Sequence, residues 1–156
     1  MIILGVDPGL ANNGYGLVRY ENRKLFPVKH GCITTSKANS FIDRIKVIHY
    51  EIKELIMKYN PQEVAIEDIF FNKNTKTALA ISKVYGSIAL TVSLLGLHLF
   101  EYTPLQIKQA MVGNGRADKF QVQSMVKILL NLEKIPRPDH AADALAAAIC
   151  HLHTRY

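Results

Sequence analysis

The chain predicts an α/β protein: one mixed five-stranded sheet flanked by helices on both faces. Three observations carry that prediction. The first 35 residues read as three apolar strands separated by short turns, the pattern of antiparallel hairpins. Two further short strands each follow a helical segment, and the first of those helices is long enough to cross over and bring the fourth strand parallel to the first. The C-terminal third then reads as helices alone, which leaves them to cover the sheet.

The strands are expected at about 2–8, 13–20 and 25–35. Ile2-Ile3-Leu4-Gly5-Val6 ends at Asp7, and Pro8-Gly9 turns the chain. Phe41, Ile45, Ile48, Ile52, Leu55, Ile56 and Tyr59 recur near the helical period and mark an amphipathic helix over about 40–59. Ser40 with Asp43 suits its N-cap, and Asn60-Pro61 its stop. A strand over about 63–69 carries Glu67. A helix over about 75–95 follows and ends at Gly96. Its second half is apolar on nearly every side, which requires a place deep in the core or against a second subunit. The uncharged segment from Val84 to Leu95 is expected to form part of a two-fold interface, with Ile88 and Thr91 the positions at which an introduced charge should break it.

Val84 to Phe100 contains no Asp, Glu, Lys or Arg. It is short for a membrane span and is interrupted by Gly86, Ser87, Thr91, Ser93, Gly96 and His98. A buried helix running into a strand at 97–102 explains it better, so no membrane is expected. Pro104 opens a short helix to about Val112, and Gly113-Asn114-Gly115 forms a loop. A basic helix covers about 118–131, and the last helix runs from Pro138, suited to a first turn, to near His153.

The chain has 156 residues, 49% of them hydrophobic and 21% charged, which fits one domain over 1–156 with a real core. The net charge of +6 favours an acidic partner, nucleic acid being the commonest. No leader peptide is read at the N-terminus. Cys32 and Cys150 stand apart, outside any metal-ligand spacing. Both points lead to the expectation of a cytoplasmic protein with reduced thiols.

Asp7 is a carboxylate at the end of an apolar strand, and an unpaired buried charge is costly. Glu67 ends another such strand. If the two strands are neighbours, about 4.8 Å apart, both acids can share one cation. His140 and Asp143, at i and i+3, face the same way on the last helix, and Asp139 could support or replace His140. Carboxylate-rich sites suit Mg²⁺ and Mn²⁺, and a pair of such ions can hydrolyse a phosphodiester.

Taken together, Gly5-Val6-Asp7-Pro8-Gly9, Gly14-Tyr15-Gly16, Gly31-Cys32-Ile33, Ala65-Ile66-Glu67, Val112-Gly113 through Lys119, and Ala141-Ala142-Asp143-Ala144-Leu145-Ala146 resemble the RuvC family. These are bacterial Holliday-junction resolvases, and the resemblance runs through the whole chain in order. It implies a ribonuclease-H-like fold, a homodimer, and paired nicks in strands of like polarity at four-way junction DNA. It also implies metal-dependent hydrolysis leaving 5′-phosphate and 3′-hydroxyl ends, two Mg²⁺ per subunit with Mn²⁺ as a substitute, and work beside the RuvA–RuvB branch-migration complex. By position, Asp7, Glu67, His140 and Asp143 match the family's catalytic metal-binding quartet, whose third member is Asp in many relatives and His in others.

Ile69-Phe70-Phe71-Asn72-Lys73 follows Glu67, and aromatic rings in a basic loop can stack on opened bases. Phe70 matches the family's junction-wedging aromatic, and Lys73 and Lys76 suit phosphates. Lys108 and Lys119 match basic positions of the family, and Arg116, between them on the same loop region, is expected to contact DNA with them. Lys127, Lys134 and Arg137 read as ordinary surface charges. His151 and His153 read as a frayed helix end. Two other readings remain: a ribonuclease-H-like nuclease acting on RNA, and a junction-binding protein without catalysis. An actin-like or sugar-kinase ATPase is disfavoured by size.

Overall fold

In the computed structural model, which describes residues 1–68 and 75–156, three strands open the chain: β1 (Ile2–Asp7), β2 (Asn12–Glu21) and β3 (Lys24–Thr34). They pair antiparallel as successive hairpins. Helix α1 (Phe41–Tyr59) crosses over to β4 (Glu63–Glu67), and α2 (Thr75–Leu94) leads to β5 (His98–Tyr102). Both β4 and β5 run parallel to β1, giving one sheet of order β3-β2-β1-β4-β5. Helices α3 (Pro104–Val112), α4 (Lys119–Leu129) and α5 (Asp139–Arg155) complete the chain.

The caps follow the sequence. The Ser40 side chain accepts from the Asp43 amide, and Asn60 closes α1 in the left-handed region. Thr103 with Gln106 and Asp118 with Gln121 form capping boxes on α3 and α4. Pro138 is the N-cap of α5 rather than its first helical residue, and its carbonyl accepts from the Ala141 amide.

Alternation along the strands splits the core into two layers. Leu4, Val6, Leu17, Val64 and Ile66 face α1 and α2, packing on Ile48, Ile52, Val84 and Ile88. Ile3, Val18 and Ala65 face α3, α4 and the alanine-rich α5. On that face Gly5 and Gly14 let α5 approach closely: a Cβ on Gly5 would lie 1.9 Å from the Ala144 carbonyl oxygen, and one on Gly14 2.0 Å from that of His140. The first turn of α5 is thereby laid directly on the end of β1.

Helix α2 is long and apolar enough by composition to cross a membrane. Its inner face, however, is fully buried on the sheet at Val84, Ile88 and Val92. Within the segment Val84 to Leu95, Ile88 and Thr91 do not face outward as expected. Ile88 is 0% and Thr91 1% exposed, and the Thr91 hydroxyl lies 2.7 Å from His49 Nδ1 and donates to the Ser87 carbonyl. The outward apolar residues are instead Leu79, Leu90 and Leu94, at 58%, 60% and 73% exposure.

His151 is no frayed end. It is fully buried, with Nδ1 2.8 Å from the Tyr102 hydroxyl and Nε2 2.6 Å from Glu63. Its phase on α5 carries it under Phe100 and Tyr102. Burial lowers its pKa. Burial also pushes the Glu63 carboxyl up, but hydrogen bonds from His151 and Tyr156 outweigh it and hold Glu63 low. His153 is exposed. Cys32 and Cys150 are free thiols.

Candidate active site and nucleic-acid interface

Register and alternation assemble the site. The parallel pairing of β1 and β4 matches Ile3 with Glu63 and Val6 with Ile66, so the same offset sets Asp7 beside Glu67 at the strand ends. Odd-numbered residues of both strands look toward α5, as Ile3 and Ala65 do. Helix α5 then contributes His140 and Asp143 from its first turns.

One potential ligand atom from each of Asp7, His140 and Asp143 lies within 4.8 Å of the others. His140 Nδ1 is 2.7 Å from Asp7 Oδ2. The Asp7 carboxylate raises the His140 pKa through this hydrogen bond. If Nδ1 carries the proton to Asp7, Nε2 is the nitrogen left to ligate. Asp143 is buried enough to lift its pKa, despite the Lys119 ammonium 3.0 Å away. Glu67 is affected most: burial, then the charges of Asp7 and Asp143, push its carboxyl up to about 8. A set of acids that resists full ionisation, with one imidazole, is a donor set suited to a hard or borderline divalent cation.

Asp139 lies outside this cluster. It pairs with Arg137, and Lys119 stands 3.6 Å from it. Arg137 is therefore engaged at the site's margin rather than being a detached surface charge. Lys119 spans both aspartates; partial burial disfavours its charge, but the hydrogen bond to Asp143 and the surrounding acids prevail and raise its pKa. Sequence reasoning sets Lys119 beside phosphates and misses this bridge to the acids.

Lys108 and Lys119 line a cavity of about 260 Å³ together with Glu67 and Asp143. Arg116 is set apart from it. It is exposed, its amide donates to Asn114 Oδ1, and it borders a different cavity with Leu105 and Gln109. Phe70 and Lys73 lie outside the described residues.

The sequence model of the family described as crossover junction endodeoxyribonuclease RuvC matches residues 3–151. The chain belongs to the RuvC family. A RuvC from Alkaliphilus oremlandii is 53% identical over 154 residues, covering 99% of this chain and 94% of its own. A solved Thermus thermophilus RuvC matches with a TM-score of 0.92 at 33% identity, covering 98% of this chain and 94% of that one. A second T. thermophilus RuvC structure, in complex with Holliday junction substrate, matches with a TM-score of 0.90 at 30% identity, with coverage of 98% and 94%. The mixed sheet and its two helical layers are thus those of the RuvC, ribonuclease-H-like resolvases.

Proposed function

We infer that this protein is a metal-dependent endonuclease that resolves four-way DNA junctions by paired nicks in strands of like polarity, in recombination and repair. The observation that carries this reading is the convergence of Asp7, His140 and Asp143, with partly buried Glu67 near them, in a chain of the RuvC family. A relative of the same fold is described in complex with Holliday junction substrate, which supports the choice of DNA.

Asp7, Glu67, His140 and Asp143 would hold Mg²⁺ or Mn²⁺, two ions per subunit. The donor chemistry fits, because a bound cation would offset the burial and the neighbouring negative charges that keep Glu67 protonated. Such ions, when bound, supply an activated water and stabilise the leaving oxygen. Asp7 fixes the His140 ring through Nδ1 and so aims Nε2. Lys119 and Lys108 would hold phosphate oxygens, Lys119 exchanging its ion pair with Asp143 for a phosphate. Phe70 engages an opened base and Lys73 a nearby phosphate, by their positions after Glu67.

The protein works as a homodimer, since one site cuts one strand at a time. The apolar stripe Leu79, Leu90 and Leu94 on α2 is the surface that supports pairing. A cytoplasmic location and cooperation with a RuvA–RuvB motor belong to the same reading.

Incubation with a synthetic mobile four-way DNA junction and with an RNA–DNA hybrid, in Mg²⁺ and in Mn²⁺, tests the substrate class. Symmetric nicks in the junction with the hybrid intact support resolution. Preferential cutting of the hybrid would assign an RNA-processing nuclease, and tight junction binding without nicks a structural protein.

A further inference from the structure

Away from Lys108 and Lys119, His140 borders a second groove of about 540 Å³. The Gly9–Asn12 turn, which follows shortly after Asp7, forms one wall, and Lys37, Arg44 and Lys76 contribute three cations. No carboxylate among the described residues lines it. Lys37 and Lys76 are exposed, and among the described residues neither has an ion-pair partner.

Arg44 is held differently. Its Nε donates to Thr35 Oγ1 at 2.8 Å. Thr35, 7% exposed, donates its own hydroxyl to the Leu10 carbonyl at 2.5 Å, and its amide to that of Ala11 at 3.0 Å. The guanidinium is therefore fastened to the same turn that follows the Asp7 carboxylate. Its two terminal nitrogens have no acceptor among the described residues, and a guanidinium fork left unpartnered matches the geometry of phosphate. Three uncompensated cations around one groove, against a site built for phosphodiesters, leave a polyanion as the complementary occupant.

We propose that Lys37, Arg44 and Lys76 bind backbone phosphates of the strand being cut, on the side of the scissile phosphate opposite Lys108 and Lys119. Arg44 anchors the register because Thr35 ties it to the turn that follows Asp7, while the two lysines add charge. Phosphates held on both flanks fix the strand over Asp7 and Asp143, and small misplacements of a reacting group are costly in rate. The proposal rests on the nuclease reading above.

The test is binding of a fluorescent four-way junction in EDTA, with salt varied over roughly 50–200 mM. The wild type is compared with Lys37→Gln/Lys76→Gln, Arg44→Gln and Arg44→Lys, with melting temperature as the folding control. For every phosphate that a variant no longer neutralises, the slope of log K against log salt should flatten by about 0.9 and binding weaken about eightfold near 0.1 M salt. Arg44→Lys should keep most of the slope in EDTA but, in a parallel cleavage assay with Mg²⁺, cut a saturating junction more slowly, because an ammonium cannot reproduce the fork. A double lysine variant that folds and keeps the wild-type slope and affinity overturns the proposal, even if Arg44→Gln is unstable. If the wild type itself neither binds nor cuts the junction, the nuclease reading fails. If it does both and every variant matches it, the groove assignment alone fails.

Discussion

Glu67→Gln should stabilise the metal-free protein, by an amount that depends on pH. The folded chain holds this carboxyl at about 8 against an ordinary 4.5, because burial and the neighbouring Asp7 and Asp143 disfavour its charge. A group whose pKa is raised on folding contributes its full stability below the unfolded value and loses it as pH climbs to the folded one. The window here runs from 4.5 to about 8. At about 1.4 kcal/mol per pKa unit, the loss reaches about 3 kcal/mol by pH 7 and stays under about 1 kcal/mol at pH 5. Glutamine keeps the shape and carries no charge to suppress. Thermal melts in EDTA should therefore show Glu67→Gln about 6–12 °C above the wild type at pH 7, with the gap nearly closed at pH 5. Mg²⁺ should raise the wild-type melt more than the variant's. A variant no more stable than wild type at pH 7, or a gap independent of pH, would refute the electrostatic account of the site.

His140→Asp should retain cleavage, improve use of Mg²⁺ relative to Mn²⁺, and weaken the loss of activity at low pH; pH–rate profiles in each metal check this. In the wild type, that loss should begin at or above the ordinary imidazole value of 6.5, since Asp7 raises the His140 pKa and the ring must shed a proton to ligate. Leu90→Glu with Leu94→Glu should give well-folded monomers whose two nicks are uncoupled, read by light scattering and incision mapping. Thr91→Glu should instead unfold the chain, because Thr91 is 1% exposed. His151→Phe should cost about 1–3 kcal/mol in denaturant melts although its surroundings are aromatic, because Tyr102 and Glu63 lose their buried partner. A neutral result would mean the network adds nothing.

Most of the fold is legible in the sequence because local signals agree with one another. The hairpin turns, the Ser40 and Asn60 caps and the Pro104 start all lie where the sequence puts them. The facing of α2 is not legible. Leu90 and Leu94 are as apolar as Ile88, so hydropathy cannot separate inside from outside; the exposed Gly86 and Ser93 on the outer side are the available clue. The nearness of His151 to the chain end hides its phase, which continues the buried run from Ala144 to Leu152. The gathering of Asp7, His140 and Asp143 follows from strand ends and an i, i+3 pair. The closeness of α5 needs the bare Gly5 and Gly14 surface, whose steric role no spacing rule reveals. Lys37 and Arg44 carry no signal of their own, because the groove they share joins segments distant in sequence.

The most direct test compares cleavage and binding of one mobile four-way junction by the wild type and by Asp7→Asn, with products mapped strand by strand. Asp7 sits 2.7 Å from His140 at the centre of the acidic cluster, so its loss should abolish nicking. Junction affinity in EDTA should hold or rise, because a negative charge leaves the phosphate path. Paired nicks by the wild type, none by Asp7→Asn, and undiminished binding are the predicted result. Turnover by Asp7→Asn at the wild-type rate would contradict the assignment of this cluster as the catalytic metal site.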